Sequence, residues 1–460
     1  MTMLDDVLSH IDANLPASLD RLFHLLRIES ISTDPAYREQ VRAAADWLSG
    51  ELDGIGFAAS VRPTTGHPMV VAHDPDDAGG PHVLFYGHYD VQPVDPLDEW
   101  DSPPFEPRIE TVDGHEQIVA RGASDDKGQL MTFVEACRAW KAVTGSLPIR
   151  VSVLFEGEEE SGSPSLKPFL EANAEDLRAD LALVCDTDMW DRQRPAITVM
   201  LRGLVGEEIT ITAADRDLHS GLYGGAARNP IHVLADIIAR LRDADGRVTV
   251  PGFYDGVDDL PADVKALWDS LGFDSDAFLG DVGLSLPAGE TGRSVLEQIW
   301  ARPTCEVNGI TGGYTGEGFK TVIPAKASAK ISFRLVGGQD PDQIRRNFRD
   351  FVEGHLPADC SVTFAEHGGA QALRLPFTGD ALSRARAALT DEWGMEPALV
   401  GSGGSIPVVG ELKQALGIDS LMIGFALDDD RIHSPNEKYD VSSFRGGIRS
   451  WARVLAALAT

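Results

Sequence analysis

The sequence lacks the features that stabilise small secreted domains and thiolate zinc modules. Its 460 residues include only four cysteines, Cys137, Cys185, Cys305 and Cys360, and none of them forms a CxxC pair. Disulfide frameworks and thiolate zinc sites both need closely arranged cysteines. A metal site in this chain would therefore need histidine and carboxylate ligands.

Long apolar runs and basic residues are also scarce. No apolar run approaches the roughly 18 residues of a membrane-spanning helix, and the N-terminal MTMLDDVLSHIDANL lacks the basic start and apolar stretch of a signal peptide. Acidic residues outnumber basic ones by 72 to 40, which gives a net charge of −32. Such a chain is repelled by phosphate backbones and anionic lipid. We therefore expect a cytoplasmic protein that binds neither nucleic acid nor membranes.

The chain is long enough for about three domains of roughly 150 residues each, or for two large ones. Hydrophobic residues make up 43% of it, which suffices for a core. Near-continuous apolar runs lie at His82–Tyr86, Arg150–Phe155, Leu181–Val184 and Leu421–Ala426, and a helical pattern separates the first two. This alternation is typical of a mainly parallel sheet whose faces are covered by helices.

The pattern changes after about residue 203 and returns near residue 378. Glu207–Ala214 and Ala329–Leu335 alternate apolar and polar residues, which is typical of strands with one buried face. Two amphipathic helical patterns accompany them. We therefore predict an α/β catalytic domain with a mainly parallel sheet, interrupted by an inserted α+β domain, with the following bounds: catalytic domain 1–202 and 378–460, inserted domain 203–377.

Polar side chains follow four of the apolar runs, at the sheet edge where ligands of parallel sheets gather. They comprise two histidines and several carboxylates: His88 and Asp90 in GHYDVQP, Asp125 and Asp126 in RGASDDKG, Glu158–Glu160 in EGEEESGS, Asp186 in CDTD, and His433 in RIHSPNEK. Nitrogen and oxygen ligands together suit Zn, Mn or Co, whereas a calcium site uses oxygen alone. Each residue alone is more often structural or solvated, but their agreement at separate strand ends predicts a metal site.

Seven motifs together resemble a known family: GHYDVQP, RGASDDKG, EGEEESGS, DLHSGLYGGAARNP, KTVIPAKASAKISFRLV, GGSIP and HSPNEK. The chain resembles the two-metal peptidases of the carnosinase, cytosolic nonspecific dipeptidase and acetylornithine deacetylase superfamily, and the dipeptidase branch most of all. The resemblance spans about residues 15–455. It implies that the inserted domain serves as a lid and dimerisation domain, and that each subunit binds two divalent ions, Zn or Mn, with Co as a further candidate.

The resemblance also implies the ligands of the two ions. Asp125 resembles the bridging carboxylate, and the peptide bond that follows it is expected to be cis. The remaining ligands are His88 and Asp186 for one ion, and Glu160 and His433 for the other. Asp90 resembles the carboxylate that orients the His88 ring.

Glu159 resembles the general base of the family. In that role it takes the proton of a metal-bridging water, which attacks the peptide carbonyl as hydroxide, and delivers it to the leaving amine. Two alternatives stay open at this point. Glu158 adds a third acid, so the register of Glu159 and Glu160 could slip by one residue. Asp188 could replace Asp186 as a ligand.

The inserted domain and the glycine-rich turn supply the implied substrate contacts. His219 resembles the histidine that reaches across a dimer to stabilise the tetrahedral oxyanion. Arg334 resembles the arginine that pairs with the terminal carboxylate of the substrate. Thr321 and Ser405 resemble further contacts, and Gly404 lets the backbone approach the ligand closely.

The sequence thus predicts a homodimeric metallopeptidase, a dipeptidase that acts on short peptides with a free C-terminal carboxylate. The alternative enzyme is an N-acyl-amino-acid amidohydrolase of the deacetylase or aminoacylase type, since the same metals and base serve either amide. A requirement for a free substrate amine would distinguish the two. A non-catalytic peptide-binding relative would have lost a ligand or the base, and all of them are present.

Overall fold

The computed structural model describes residues 2–76, 78–404 and 406–459. The α-helices of these residues are, in chain order, α1 Met3–Leu26, α2 Arg38–Gly54, α3 Lys127–Thr144, α4 Leu166–Ala172, α5 Ser220–Tyr223, α6 Pro230–Ala239, α7 Ala262–Asp269, α8 Ser275–Asp281, α9 Pro341–Gly354, α10 Asp380–Trp393, α11 Pro407–Leu416 and α12 Val441–Leu458. None of them is both long and apolar enough to cross a lipid bilayer.

The strands of the same residues are, in chain order, β1 Ala58–Arg62, β2 Met69–His73, β3 His82–His88, β4 Arg108–Val112, β5 His115–Val119, β6 Arg150–Glu156, β7 Leu181–Val184, β8 Ala196–Leu201, β9 Gly203–Thr212, β10 Leu218–His219, β11 Thr304–Gly312, β12 Val322–Ile323, β13 Lys326–Leu335, β14 Ser361–Ala370, β15 Leu373–Arg374, β16 Ala398–Ser402, β17 Asp419–Met422 and β18 Lys438–Asp440.

The chain divides into two compact units. The first unit comprises Met1–Val199, Leu375–Val400 and Pro407–Thr460, and the second comprises Met200–Arg374 and Gly401–Ile406. The bounds 203–377 for the inserted domain stay a prediction. Gly401 packs within the second unit, where a Cβ on it would lie 2.6 Å from the Cβ of Trp300.

The first unit is built on a mixed sheet in which β1, β2, β6, β3, β7, β17 and β8 are neighbours in that order. The central pairs β6–β3, β3–β7 and β7–β17 are parallel, whereas β1–β2, β2–β6 and β17–β8 are antiparallel. The predicted α/β class is confirmed, but the sheet is parallel only at its centre. The short connection at residues 63–68 explains one antiparallel pair, since parallel neighbours need a longer crossover.

Helices and strands of the first unit share an aromatic core. Phe85 of β3 stacks on Phe133 of α3 with ring centroids 3.7 Å apart, and Trp451 of α12 meets both rings edge-on. Full burial of a large apolar side chain contributes roughly 1.5–3 kcal/mol to folding. This packing fixes β3 beside β6 and β7, so that the carboxyl ends of three parallel strands lie at one edge.

The second unit is an α+β structure. Its main sheet has the order β11-β13-β9-β14, and all three pairs are antiparallel. Alternate residues of β13, among them Ile331 and Phe333, are buried with α6 and α9 against the sheet. The carboxylate of Glu207, fully buried on β9, accepts hydrogen bonds from Arg345 Nε at 2.7 Å and Arg349 Nη2 at 2.9 Å. The alternating pattern in the sequence reflects this single buried face.

Candidate active site

Two ligands of the first group lie at the carboxyl ends of parallel strands, and the third lies on the loop before a helix. His88 is the last residue of β3, Asp186 follows β7, and Asp125 lies just before α3. One ligand atom from each of the three lies within 4.8 Å of the others. His88 Nε2 and Asp125 Oδ1 are 3.0 Å apart. The alternative ligand Asp188 belongs to neither group found among the described residues.

A second group shares Asp125 with the first. It consists of Asp125, Glu160 and His433, with ligand atoms again within 4.8 Å of one another. His433 Nε2 lies 3.0 Å from Asp125 Oδ2 and 3.2 Å from Glu160 Oε2. Asp125 therefore directs one oxygen towards each group. Each group offers one imidazole and two carboxylates, a donor set of the kind that fits divalent Zn, Mn or Co, and Asp125 is common to both groups.

The pKa values of these residues are shifted because several carboxylates lie close together in a buried site. Burial, together with the charge of Asp125, raises the pKa of Asp186 well above its usual value. Hydrogen bonds to Asp125 and Glu160 raise the pKa of His433 to about 10. Although burial opposes it, hydrogen bonds from His433 and His88 hold the pKa of Asp125 below its usual value. The ionised carboxylate of Asp125 therefore favours cations beside it.

Asp90 is fully buried and holds the turn that carries the two key glutamates. Its carboxylate accepts hydrogen bonds from the backbone N–H of Glu159 at 3.2 Å and of Glu160 at 3.0 Å. The Nδ1 atom of His88 lies 3.2 Å from the Asp90 carbonyl oxygen and 3.5 Å from its Oδ1 atom. The shorter bonds of this carboxylate thus fix the Glu159–Glu160 backbone, a task that the resemblance did not imply. Burial raises the pKa of Glu159 to about 7, with the charges of Glu160 and Asp125 adding to the effect.

Glu158, which had left the register open, is bound elsewhere. Its buried carboxylate accepts hydrogen bonds from the backbone N–H of His67 at 2.8 Å and of Ser165 at 3.2 Å. A Cβ on Gly66 would lie 1.5 Å from its Oε1 atom, so the loop packs directly on this carboxylate. Glu158 is therefore occupied as a loop anchor, and Glu160 is the residue that joins the ligand group.

Two residues inside the quoted motifs have contacts that sequence reasoning missed. Gln92 of GHYDVQP donates a hydrogen bond from Nε2 to Glu160 Oε2 at 2.8 Å. Asp126 of RGASDDKG accepts one at Oδ2 from the His88 backbone N–H at 3.0 Å. Both residues lie in the same motifs as assigned ligands, and this proximity in the sequence is the feature from which their contacts could have been predicted. The peptide bond between Asp125 and Asp126 is cis, as expected.

His219 and Thr321 lie on neighbouring segments of the second unit. The strand β10 that ends in His219 pairs with β12, and the Ser220 backbone N–H donates to the Thr321 carbonyl oxygen at 3.1 Å. His219 is exposed, and its Nδ1 accepts a hydrogen bond from the Gly221 backbone N–H at 3.0 Å. In the neutral ring the proton is therefore on Nε2, which makes that atom a hydrogen-bond donor.

Two arginines of the second unit lie near its glycine-rich turn. Arg334, half-buried on β13, pairs with Leu204 in the sheet. Arg202 donates from Nε to the Gly403 carbonyl oxygen at 3.2 Å, and burial with the charge of Arg334 lowers the pKa of Arg202 to about 10. The Gly404 backbone N–H donates to Ser402 Oγ at 3.1 Å. The positive charge of Arg334 that acts on Arg202 favours an anion beside these arginines.

One predicted contact, Ser405, lies outside the described residues. Arg202, in contrast, was not predicted from the sequence. Arg202 directly precedes β9, and β9 pairs with β13, the strand that carries Arg334. The sequence indicates that the two arginines are neighbours only if the pairing register of these strands is already known.

The chain is similar to known proteins over nearly its whole length. The sequence profile of "Peptidase family M20/M25/M40" matches residues 84–457. Cys-Gly metallodipeptidase dug1 of Schizosaccharomyces pombe is 30% identical over 99% of this chain and 98% of its own. Beta-Ala-His dipeptidase of Rattus norvegicus is 27% identical over 98% and 94%. The solved structure of dipeptidase Dug1p from Saccharomyces cerevisiae has a TM-score of 0.82 at 27% identity, and the match covers 100% of this chain and 99% of that one.

Proposed function

The chain belongs to peptidase family M20/M25/M40, and on that premise we propose that it is a metal-dependent dipeptidase. The proposed reaction is hydrolysis of the peptide bond in short peptides with a free C-terminal carboxylate. The observation that carries the proposal is the pair of ligand groups that share Asp125 beside Glu159. The relatives are dipeptidases for Cys-Gly and for Beta-Ala-His, so a dipeptide is favoured over an N-acyl amino acid.

The ligand groups would each hold one divalent ion. We assign His88, Asp125 and Asp186 to one ion, and Asp125, Glu160 and His433 to the other. Zn or Mn, with Co as the third candidate, fits this mixture of imidazole and carboxylate. When bound, such ions act as Lewis acids on a carbonyl and lower the pKa of water at the site.

Glu159 is the residue that we assign to proton transfer. It belongs to neither ligand group of the described residues, and the bonds from its own and the next backbone N–H to Asp90 fix its place in the turn. From there its carboxylate can accept a proton from the attacking water and deliver it to the nitrogen of the leaving amine. We assign Asp90 the task of holding the Glu159–Glu160 turn and the His88 ring in place.

The second unit would bind the substrate. We assign the terminal carboxylate to Arg334, with its planar fork of donors, and further contacts to Thr321, Ser405 and the backbone at Gly404. The Nε2–H of His219 is a suitable donor for the oxyanion that forms during attack on the carbonyl.

A homodimer is part of the proposal, with His219 of one subunit completing the site of the other. The second unit exposes the large apolar side chains of Leu222, Ile310 and Phe319, and their burial in an interface would favour association. Mixing the single variants His219→Ala and Glu159→Gln tests the exchange. If His219 acts across the dimer, the mixture regains activity that neither variant has alone; a fully active monomer would contradict the proposal.

A cytoplasmic location stays a prediction. All four cysteines are free in the structure, as is usual in a reducing compartment. Fractionation of cells that produce the protein, with markers for each compartment, would test it.

The decisive experiment is a hydrolysis assay on metal-stripped protein with Zn or Mn added back. The panel pairs free dipeptides with the matching N-acetyl amino acids. We expect metal-dependent cleavage of the dipeptides alone. Cleavage of the N-acetyl amino acids alone would instead establish the amidohydrolase and would keep the same metal groups and base.

A further inference from the structure

The loop that carries Asp125 has little regular structure of its own. It runs over residues 120–126, between the end of β5 and the start of α3. Asp125 must present one oxygen to each ligand group, so an error in this loop would disturb both groups. The backbone donors of the loop therefore need acceptors that hold them in one arrangement.

One carboxylate, that of Glu437, accepts three of these backbone donors and one side-chain donor of the same loop. Its Oε2 atom accepts from Arg121 Nη1 at 2.8 Å and from the Gly122 backbone N–H at 2.9 Å. Its Oε1 atom accepts from the backbone N–H of Ser124 at 2.9 Å and of Asp125 at 3.1 Å. The side chain is fully buried, so these four bonds replace its water shell.

The same residue connects the segment of His433 to the loop of Asp125. Glu437 lies four residues after His433, and its carbonyl oxygen accepts a hydrogen bond from the Ala120 backbone N–H at 3.1 Å. The His433 side chain is half-exposed and so has little packing to hold it. Its distance of 3.0 Å from Asp125 Oδ2 depends on how the two segments are joined. Glu437 joins them through several buried bonds, and one further buried bond runs from Ser124 Oγ to Asp430 Oδ2 at 2.7 Å.

We propose that Glu437 is a positioning residue of the metal site, which sets the backbone of the Asp125 loop against the His433 segment before any ion binds. It touches neither substrate nor reacting atoms. The inference rests on the proposed function only in assuming that Asp125 and His433 bind metal. Removal of a partner that orients metal ligands typically weakens metal binding about ten- to a hundredfold.

The first test compares Glu437→Gln with Glu135→Gln as a matched control. Glu135 is a buried carboxylate of the same unit that accepts from Arg21 Nε and Ser18 Oγ, both at 2.7 Å, and it bonds to no backbone amide of the Asp125 loop. Both variants are expected to lower the unfolding temperature. Only Glu437→Gln should weaken binding of Mn²⁺ or Zn²⁺, by about ten- to a hundredfold in calorimetric titration. Equal affinity in both variants would reduce Glu437 to a structural role.

A second measurement needs no variant, so it decides the matter even if Glu437→Gln fails to fold. Hydrogen exchange is followed by NMR at the backbone amides of residues 122, 124 and 125 in the intact, metal-free protein. Because Glu437 accepts these donors, the amides should be protected before metal is added. Rapid exchange that becomes slow only with Mn²⁺ or Zn²⁺ would show that the ions order the loop, and would overturn the proposal. A protein that bound no ion would contradict the proposed function, while this exchange result would still report on Glu437.

Discussion

The two units hold their functional side chains in different ways. In the first unit the candidate ligands lie after parallel strands or on neighbouring loops, and buried carboxylates such as Asp90 accept hydrogen bonds from the backbone beside them. In the second unit His219 and Thr321 are exposed; His219 ends the short strand β10, and Thr321 directly precedes its partner strand β12. Metal ligands must converge within a fraction of an ångström, whereas contacts to a flexible peptide tolerate adjustment. We therefore expect substitutions in the first unit to lower metal binding or kcat, and substitutions in the second unit to raise KM or to lower stability.

The largest effect is expected from Asp125→Asn, because this residue belongs to both ligand groups. An amide offers only one good acceptor oxygen in place of two. We expect loss of both ions and of all activity, measured by metal analysis of dialysed protein and by dipeptide hydrolysis. Retention of two tightly bound ions would refute the shared role.

Glu159→Gln should come next, since it removes the proton acceptor and leaves both ligand groups intact. General acid–base catalysis contributes about a hundred- to ten-thousandfold to rate, so kcat should fall by that factor. Metal content should stay at the parent level in the same preparation. Near-normal turnover with the metals bound would show that another group moves the proton.

A smaller effect, and one of a different kind, is expected from Arg334→Ala in the second unit. Hydrogen bonds to charged groups contribute about 1.5–3 kcal/mol, so KM for dipeptides should rise roughly ten- to a hundredfold. Arg216→Ala is the control, since that arginine is exposed in the same unit and pairs with its neighbour Asp215. A fall in kcat with KM unchanged would mean that Arg334 orients the reacting bond instead of binding the carboxylate.

The smallest effect on activity is expected from Glu207→Gln, which tests whether a buried carboxylate of the second unit supports only the fold. Its partners Arg345 and Arg349 are partly exposed, so water would recover some of the lost interaction. We expect the free energy of unfolding in urea to fall by about 1–3 kcal/mol. Metal affinity and kcat should not change, and a loss of either would remove the distinction between the units.

Local patterns such as apolar strands and motifs could be predicted from the sequence more readily than contacts between residues far apart in the chain. The strands before His88 and Asp186 could be predicted because buried parallel strands are continuously apolar, and the order of the motifs indicated the family. The backbone acceptor roles of Asp90 and Glu158 could not, since a carboxylate that binds a ligand and one that binds an amide look alike in sequence. The close approach of Gly401 to Trp300 could not be predicted either, because nothing in GSGGSIP indicates that packing.

The shared carboxylate of Asp125 has a thermodynamic consequence. If each group binds one ion, as proposed, an ion in one group would order Asp125 for the other group and would also repel a second ion through its charge, so the two occupancies would be linked. By reciprocity, whatever the first ion does to the affinity of the second, the second does equally to the first. Titration of the metal-free protein will therefore not follow the sum of two independent isotherms. The shape of the titration curve will give the coupling free energy between the two ions that share Asp125.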